Sequence, residues 1–438
     1  MLSLAFIREN PDLVRQALAR RHTEAPLEEV LELDGQWRGL LQEVEGIRAE
    51  RNSLSKEIGE LMRVSKDPRI EQRERLHAEH RRDDLVARSG FLGEQLEKKE
   101  EELRGLESRL NALLLEIPNL PDERTPAGAS EADNVVVREW GKLRQFDFPP
   151  RPHWELGESL SIIDFERGVK LSGSRFYVLK AAGARLERAL IQWMLDFQTA
   201  RGYTEIYPPA MVKEECMWKG GWLPKFADNM YHDVEEDYWW LPTAEVALTN
   251  LHREEILEAE SIPLSYVAYT PCFRREKMSA GRDVRGIKRG HQFDKVELYK
   301  LVAAESSAQA LETMVADAEA VCQALKIPYR VVQLCTADLG FNSALTYDIE
   351  MWAPGCGEWL EVSSCSNCTD FQARRANIRF RREKRGRPEY LHTLNGSGLA
   401  LPRTLIAVLE NYQQVDSSVQ VPEVLRPYMG GMRVISAA

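Results

Sequence analysis

Apolar residues recur in two narrow stripes along the first quarter of the chain. The first has a leucine or isoleucine every seven residues and mostly apolar residues four positions on: Leu33, Trp37, Leu40, Val44, Ile47, Arg51, Leu54, Ile58 and Leu61. The second advances in alternating steps of four and three: Leu92, Leu96, Lys99, Leu103, Leu106, Leu110, Leu113 and Ile117. Fifteen of these 17 positions are apolar, whereas 43% of the residues in the whole chain are hydrophobic. Narrow apolar stripes with this spacing are typical of coiled coils.

Residues 65–74 (SKDPRIEQRE) separate the two stripes and predict a turn, because they are strongly polar and contain Pro68. Two helices of roughly 40 residues, about 60 Å each, are then expected to fold back antiparallel. Helices of that length exceed what one globular core can cover, so the pattern predicts an arm. A coiled coil that dimerises two chains would show the same periodicity, and the pattern leaves both interpretations open.

The remainder of the chain has a different pattern. Residues 119–152 are rich in Pro, Gly, Asp and Ser and predict a linker. Beyond 153 the apolar runs are short and bounded by Gly and Pro, which indicates an antiparallel sheet with helices over about 185–201, 303–326 and 405–412. The expected fold class is therefore α+β, with an N-terminal domain over 1–118 whose helical arm spans about 27–118, and a second domain over 153–438.

Composition narrows the classes of function. The 438 residues carry a net charge of −11, which argues against nucleic-acid binding over the whole surface but allows a local basic groove. Seven cysteines without regular spacing do not form a disulfide framework, and a reducing cytoplasm fits best. The start of the chain lacks signal-peptide order, and no run of 18 apolar residues predicts a membrane span. Zinc is disfavoured, because no histidine accompanies Cys356, Cys365 and Cys368 between 292 and 391.

The candidate chemistry centres on a cationic hairpin over residues 271–299. Five cations in its loop call for an anionic partner, with phosphate as the natural one: Lys277, Arg282, Arg285, Lys288 and Arg289. The returning strand has one face with an aromatic ring and a carboxylate, formed by His291, Phe293, Lys295 and Glu297. Taken alone, the same run also fits a surface hairpin with solvated charges.

The hairpin resembles motif 2 of class II aminoacyl-tRNA synthetases, in the form found in seryl-tRNA synthetases: FRRE, then GRDVRG, then RGHQFDKVE. Three further stretches resemble the seryl Thr-Ala-Glu loop, the nucleotide- and metal-binding strand, and motif 3: 241–250, 361–367 and 393–413. The helix from Arg185 with YTEIYPP resembles motif 1. Together with the arm, the resemblance covers nearly the whole chain. It implies an antiparallel catalytic domain over 153–438, flanked by helices, that forms aminoacyl-adenylates.

The resemblance also implies residue roles at the ATP end. Arg274 would hold the α-phosphate and the substrate carboxylate, and Glu276 would orient the adenine or ribose. Phe293 and Arg403 would sandwich the adenine ring, and Arg289 would contact the γ-phosphate. The implied catalytic residues are Arg274, Glu276 and Arg403. The implied ATP-binding set is Arg274, Arg275, Glu276, Arg289, Phe293, Glu361, Val362, Ser363, Ser364 and Arg403, in which Glu361 and Ser364 would ligate Mg²⁺.

At the amino-acid end, the resemblance implies that Thr243 and Glu245 recognise the amino group of L-serine. Glu297 and Ser397 would read its hydroxyl, while Asn395 fixes the loop. The full implied serine-binding set is Thr243, Ala244, Glu245, Arg274, Glu297, Asn395 and Ser397.

The implied partners are tRNA(Ser), gripped by the arm and approached by the motif 2 loop, and a second copy of the chain bound through motif 1. Arm residues offered for phosphate contact are Arg38, Arg48, Arg63, Lys66, Arg69, Arg73, Arg75, Arg81 and Arg82, although interspersed acids also fit a solvated face. The implied activity is serine–tRNA ligation. A specialised paralogue, for biosynthetic supply or as an inhibitor-resistant copy, is one alternative, supported by the unusual Lys277-Met278 and Leu401-Pro402. A non-catalytic coiled-coil binding protein is another.

Overall fold

The computed structural model describes residues 1–277 and 285–437, so Met278 and Arg282 of the cationic loop lie outside the described residues. The chain divides into two compact units. One unit comprises Leu4–Pro11 and Ala25–Ile117, and the other comprises Met1–Ser3, Asp12–Glu24 and Pro118–Ala438. Residues 12–24, which the sequence grouped with the N-terminal domain, therefore pack within the larger unit.

The N-terminal quarter of the chain is helical: α1 (Leu4–Glu9), α2 (Pro11–Arg20), α3 (Leu27–Lys66) and α4 (Gln72–Leu114). The long helices α3 and α4 are antiparallel, because ion pairs join positions that rise along α3 and fall along α4: Glu29–Arg109, Glu43–Lys99, Glu50–Arg88 and Glu57–Arg81. Their apolar stripes face each other and include the buried Leu33, Val44, Leu54, Leu92, Leu96 and Leu110. The fold-back is confirmed, and since the stripes close within one chain, a dimerising coiled coil is not needed to bury them.

The larger unit is built on strands β1 (Val135–Trp140), β2 (Ile163–Asp164), β3 (Val178–Leu179), β4 (Thr204–Glu205), β5 (Met211–Val212), β6 (Trp239–Trp240), β7 (Ile256–Glu258), β8 (Leu264–Phe273), β9 (Gln292–Val302), β10 (Tyr329–Gln333), β11 (Leu345–Ala353), β12 (Glu358–Asn367), β13 (Arg379–Arg381), β14 (Glu389–Tyr390), β15 (His392–Ala400), β16 (Val419–Gln420) and β17 (Val434–Ile435). Within the described residues, eight strands form the main sheet in the order β1-β10-β11-β12-β15-β9-β8-β4. Every neighbouring pair is antiparallel except β4 with β8. The α+β class predicted from short, punctuated apolar runs is confirmed.

The remaining helices are α5 (His153–Ser159), α6 (Phe165–Ser172), α7 (Ala181–Thr199), α8 (Glu214–Lys219), α9 (Ala244–Asn250), α10 (Ser307–Ala324), α11 (Phe371–Ala376) and α12 (Leu401–Tyr412). Helices α7, α10 and α12 pack on the central strands and enclose the main core. Leu186, Leu190 and Trp193 of α7 are buried in that core, so this apolar face packs within its own chain. Helix α12 begins one turn earlier than predicted, because Pro402 is tolerated in the first turn of a helix.

The segment 119–152, predicted as a linker, contributes an edge strand to the main sheet. Its strand β1 pairs with β10 alone, and all six of its residues are exposed. Val135, Val136, Val137 and Trp140 are each 38–44% exposed. An exposed apolar edge of this kind is a common site of association. No helix within the described ranges is long and apolar enough to cross a membrane.

Candidate active site

The cationic hairpin opens onto a cavity of about 410 Å³. Strands β8 and β9 form the hairpin, with Phe273 paired to Gln292, and Arg274 follows directly after β8. On β9, Phe293, Lys295 and Glu297 face the cavity, whereas Val296 and Leu298 face the core under α7, α10 and α12. Strand alternation therefore separates the chemical face of β9 from its structural face. The cavity brings together most of the predicted site residues: Thr243, Glu245, Arg274, Glu276, Arg289, Phe293, Glu297, Glu361, Ser364, Asn395, Ser397 and Arg403.

Four predicted residues take other positions. Val362 is fully buried in the core, and Ser363 donates its hydroxyl to the Ser397 carbonyl oxygen at 2.6 Å. Ala244 is buried in the first turn of α9. The guanidinium of Arg275 lies 5.3 Å from the ring centre of Tyr231, and this side chain does not line the cavity.

A buried polar cluster forms one end of the cavity. Thr243 is the N-cap of α9, and its hydroxyl donates to Glu297 Oε2 at 2.9 Å. Lys295 Nζ donates to the same hydroxyl at 2.5 Å and also pairs with the Glu297 carboxylate. All three residues are at least 90% buried. Lys295 was given no role from the sequence, although its position on the cavity face of β9 was evident.

Glu245 lies beside this cluster and is also buried. Burial, and after it the negative charge of Glu297, raise the pKa of Glu245 to about 7, against the opposing influence of Lys295. Gln372 Nε2 donates to Glu245 Oε1 at 2.5 Å, and Asn395 Nδ2 donates to it at 3.3 Å. Gln372 lies on α11, five residues after the motif stretch 361–367, and no local pattern indicated its contact with Glu245.

Ser397 is the register partner of Glu297 across the β15–β9 pairing. Asn395 stands two residues earlier on the same strand and lines the same cavity. The structure therefore places residues from motifs 2 and 3 directly opposite each other. Together with Glu245, this end offers two buried carboxylates and a hydroxyl, a set that suits an ammonium group and a small hydroxyl.

The other end of the cavity is cationic and aromatic. The Arg274 guanidinium lies 5.3 Å from the ring centre of Phe293 and donates from Nε to the Pro242 carbonyl at 3.2 Å. Glu276 and Arg289 approach each other at 3.6 Å, and Lys288 pairs with Glu358 at 2.8 Å. Arg403 donates to the Glu361 carbonyl oxygen at 2.7 Å and pairs with its carboxylate at 3.2 Å. Planar guanidinium groups beside an aromatic ring suit a nucleotide with its phosphates.

An oxygen-rich group adjoins this end. Asp348 on β11 is the register partner of Ser364 on β12. Burial, followed by the charge of Glu361, raises the pKa of Asp348 well above its ordinary value. Its Oδ1 atom is shielded and has no hydrogen-bond partner among the described residues. Carboxylate and hydroxyl oxygens with an unsatisfied buried atom fit a hard cation such as Mg²⁺. Sequence reasoning missed Asp348, because it lies outside the motif strand that supplied Glu361 and Ser364.

A second group of candidate metal ligands has a different character. His153, Cys356 and Glu410 lie within 4.8 Å of one another. The amide of Ile287 donates to His153 Nε2 at 3.2 Å, so Nδ1 carries the ring proton and donates to Glu410 Oε1 at 2.9 Å. Glu410 also accepts from the amides of His153, Gly355 and Cys356 and from the Cys356 thiol. A metal at Nδ1 would leave this imidazole without a proton, so the group is a hydrogen-bond hub.

Comparison with known proteins agrees with this geometry. Residues 1–121 match the family model of the seryl-tRNA synthetase N-terminal domain, and residues 227–412 match the tRNA synthetase class II core domain (G, H, P, S and T). The chain is 59% identical over 432 residues to the serine–tRNA ligase of Dehalococcoides mccartyi, covering 98% of this chain and 99% of the relative. It is 59% identical over 436 residues to that of Roseiflexus sp., covering 99% of each.

Two solved structures match along the whole chain. One is the seryl-tRNA synthetase of Pyrococcus horikoshii complexed with ATP, with a TM-score of 0.91, 38% identity and complete coverage of both chains. The other is the cytoplasmic serine–tRNA ligase of Naegleria fowleri in complex with AMP, with a TM-score of 0.86, 31% identity, and coverage of 100% of this chain and 99% of that one.

Proposed function

Because the chain belongs to the seryl-tRNA synthetase family, we infer that it is a serine–tRNA ligase whose two substrates meet in the cavity between β9, β12 and β15. It activates serine with ATP, releasing pyrophosphate, and then passes the seryl group from the adenylate to tRNA, releasing AMP. The observation that carries this inference is the polarity of the cavity. One end has buried carboxylates for an amino acid, and the other has guanidinium groups and an aromatic ring for a nucleotide.

At the serine end, the ammonium group would lie against Glu245 and Thr243, and the hydroxyl would meet Glu297 and Ser397. The hydrogen bonds already made to Glu245 by Gln372 and Asn395 support a fixed carboxylate at this position. Alanine or glycine would leave Glu297 and Ser397 without the substrate hydroxyl, although Glu297 keeps its bonds to Thr243 and Lys295. Buried polar groups whose hydrogen bonds to the substrate are unmet discriminate strongly between substrates. Threonine must be excluded by steric fit, since its hydroxyl would still be paired.

Arg274 occupies the junction of the two ends and is the proposed catalytic cation. The serine carboxylate attacks the α-phosphorus in line, the bond to the bridging oxygen breaks, and pyrophosphate leaves with that electron pair. The attacking carboxylate is already ionised, so no general base is needed, and positioning with charge neutralisation carries the step. Arg274 would stabilise the negative charge that grows on the phosphoryl oxygens, while Arg289 and Lys288 hold the outer phosphates.

Glu361 and Ser364 are the proposed ligands of Mg²⁺, and Asp348 adds a third oxygen beside them. When bound, the ion would offset the charge of the phosphates. Phe293 and Arg403 are the proposed adenine contacts, with Glu276 orienting the base or ribose. In the structure the Arg403 guanidinium forms an ion pair with the Glu361 carboxylate. Stacking on adenine requires this guanidinium to lie over the base, either keeping the ion pair with Glu361 or exchanging it.

The arm of α3 and α4 is proposed to bind tRNA. Five of the nine offered cations are already paired with carboxylates of the arm: Arg38, Arg48, Arg69, Arg81 and Arg82. Among the described residues, no carboxylate forms an ion pair with the other four: Arg63 and Lys66 near the end of α3, and Arg73 and Arg75 at the start of α4. These four side chains are the better candidates for phosphate contact, because no internal pair must be broken.

Two further parts of the proposal concern the setting of the enzyme. A homodimer is proposed, supported by the exposed apolar strand β1 and by Tyr207, which is 88% exposed within the motif 1 segment. A sedimentation mass equal to one chain at micromolar concentration would contradict it. The motif 2 loop is proposed to approach the acceptor end of tRNA. A cytoplasmic location is proposed from the substrates and from seven free thiols.

The activity is tested by ATP–pyrophosphate exchange with each of the 20 amino acids, followed by charging of tRNA. Serine is expected to support exchange selectively. Faster exchange with alanine than with serine would overturn the assignment of Glu297 and Ser397 to the serine hydroxyl. A matched pair of variants separates the two ends of the cavity: Ser397→Ala should weaken serine selectivity, while Arg289→Ala should raise the KM for ATP with selectivity unchanged.

A further inference from the structure

One wall of the cavity is an irregular segment, residues 339–343, here called the wall segment. Gly340, Phe341, Asn342 and Ser343 line the cavity directly. The wall segment is neither helix nor strand, so its backbone carbonyl groups have no ladder to join. Shielded carbonyl groups must still find donors, and the identity of those donors determines what holds the wall in place.

Two residues distant in sequence supply donors to all five carbonyl oxygens of the wall segment. Arg21 Nη2 donates to the carbonyls of Leu339 at 2.9 Å and Gly340 at 2.7 Å, and its Nη1 donates to that of Ser343 at 3.1 Å. The amide of Asn119 donates to the carbonyl of Phe341 at 3.0 Å, and its Nδ2 donates to that of Asn342 at 2.9 Å. Arg21 Nη1 also donates to the Asn119 carbonyl at 3.2 Å, so the two residues form one assembly.

The environment of Arg21 is unusual for a charged side chain. It is only 5% exposed, and burial lowers its pKa to about 10. Its guanidinium therefore stays charged at neutral pH, surrounded by carbonyl oxygens. A desolvated charge is stable only if its hydrogen bonds are satisfied with good geometry, and the planar fork of arginine reaches several carbonyls that a lysine ammonium cannot reach together. The wall segment and Arg21 therefore fix each other's conformation.

The wall segment connects directly to the proposed serine pocket. Asn342 Nδ2 donates to the carbonyl of Gly220 at 3.2 Å, and that carbonyl also accepts from Gln372 Nε2 at 3.1 Å. Gln372 in turn donates to Glu245, the proposed contact of the serine ammonium. A displacement of the wall segment would thus disturb a carboxylate three hydrogen bonds away.

We propose that Arg21 and Asn119 are positioning residues for serine binding: they hold the wall segment, and through it Gln372 and Glu245, in the binding-competent arrangement. This inference rests on the proposed serine site. Arg21 lies four residues before Ala25, where the helical unit resumes, and Asn119 lies two residues after Ile117, where that unit ends. The residues that bracket the arm in sequence therefore also organise the amino-acid site.

The test compares Arg21→Met with Arg20→Met in the full chain. Arg20 is the neighbouring arginine, is exposed, and donates to the Thr125 carbonyl outside the wall segment. If removing the guanidinium reduces the competent arrangement to about a tenth of the population, the KM for serine in exchange rises about tenfold, because apparent affinity scales with the competent fraction. The kcat at saturating serine and the KM for ATP should change much less. Arg20→Met should match the wild type, and Arg21→Lys should recover part of the affinity.

Hydrogen exchange supplies a readout independent of activity. The amides of Ser343 and Ala344 are bonded to the carbonyls of Gly340 and Asn367, and both should lose protection in Arg21→Met. If Arg21→Met fails to fold, Asn119→Ala, which removes the side-chain amide but keeps the backbone donor to Phe341, should give a smaller effect in the same direction. Two results would overturn the proposal: unchanged protection of these amides in Arg21→Met, or faster hydrogen exchange of the amides with an unchanged KM for serine. Failure of the proposed activity would instead appear as ATP–pyrophosphate exchange by the wild type that does not depend on serine.

Discussion

The pKa of Glu245 gives a prediction that combines the chemistry of serine binding with the electrostatics of the fold. Burial and Glu297 raise this pKa to about 7 in the free protein, while Lys295, Gln372 and Arg274 limit the shift. Only the ionised carboxylate attracts the serine ammonium strongly. Lowering the pH through 7 protonates Glu245 in the free enzyme, and serine should then bind more weakly.

The size of the effect follows from the position of the pKa. About nine-tenths of Glu245 is ionised at pH 8 and about one-tenth at pH 6, so kcat/KM for serine should fall about tenfold over that interval. Stability should change in the opposite sense. A carboxyl whose folded pKa lies above its unfolded value of 4.5 favours folding below that value, and this contribution is lost as the pH rises to about 7. Glu245→Gln should therefore stabilise the free protein at pH 8, by at most about 3 kcal/mol.

The assay is serine-dependent pyrophosphate exchange between pH 6 and 8, with the melting temperature measured on the same samples. Glu245→Gln should show low kcat/KM and a nearly flat profile, together with a raised melting temperature at pH 8. Asp233→Asn is a suitable control, because Asp233 lies outside the cavity and its pKa is lowered by backbone hydrogen bonds. A wild-type profile that is flat over this range, or a Glu245→Gln profile that keeps the wild-type slope, would refute the reasoning.

Three further outcomes are expected. Arg274→Ala should lower kcat for exchange about 10²–10³-fold with little change in melting temperature, and near-normal exchange would contradict its role. Deleting residues 30–115 should preserve pyrophosphate exchange, since Arg21 and Asn119 remain, but should greatly weaken tRNA charging. In the intact enzyme, tRNA charging should fall steeply as the salt concentration rises. A parallel loss of both reactions on deletion would count against the arm as the tRNA-binding element. Glu187→Gln should raise the melting temperature at pH 9, because burial raises the pKa of Glu187 to about 8 and its Oε2 has no described partner; no gain relative to pH 6 would disprove this.

Local periodicity explains why the arm was predictable. The apolar stripes through Leu33 and Leu92 pack against each other, so each predicts the surface that buries the other, and the turn at Pro68 follows from local composition. The cavity face of β9 was equally predictable from the sequence, because strand alternation alone places Phe293, Lys295 and Glu297 on one side of the strand. Strand β1 was missed for the converse reason. Its flanks resemble a linker, and only pairing with β10, nearly 200 residues later, makes it a strand.

The residues missed at the site share a physical property: each acts through contacts distant in sequence. Gln372 reaches Glu245 from α11, and Asp348 reaches Ser364 across a strand pair. Arg21 reaches its carbonyl partners more than 300 residues away. None of these contacts has a period or a spacing in the sequence. The predicted roles of Val362 and Ser363 illustrate the same limit, since a motif marks a strand without saying which of its side chains face the cavity.

The two ends of the cavity are organised by two buried charged groups that do not line it. At the proposed serine end, the Arg21 guanidinium donates to several carbonyl oxygens. At the proposed ATP end, the Glu410 carboxylate, which is fully buried on α12, accepts hydrogen bonds from several donors. Glu410 accepts a hydrogen bond from His153, which in turn accepts one from the amide of Ile287, next to Lys288 and Arg289. Glu410 also accepts hydrogen bonds from the amides of Gly355 and Cys356 at the turn between β11 and β12. One carboxylate thus connects the cationic hairpin, the strands that carry Asp348 and Glu361, and the helix that carries Arg403. Each buried charged group makes its hydrogen bonds to several elements at once. If one of these elements moved alone, the charged group would lose hydrogen bonds while remaining buried, which is costly. That constraint gives a physical reason why a site assembled from segments so far apart in sequence can keep fixed distances between its reacting groups.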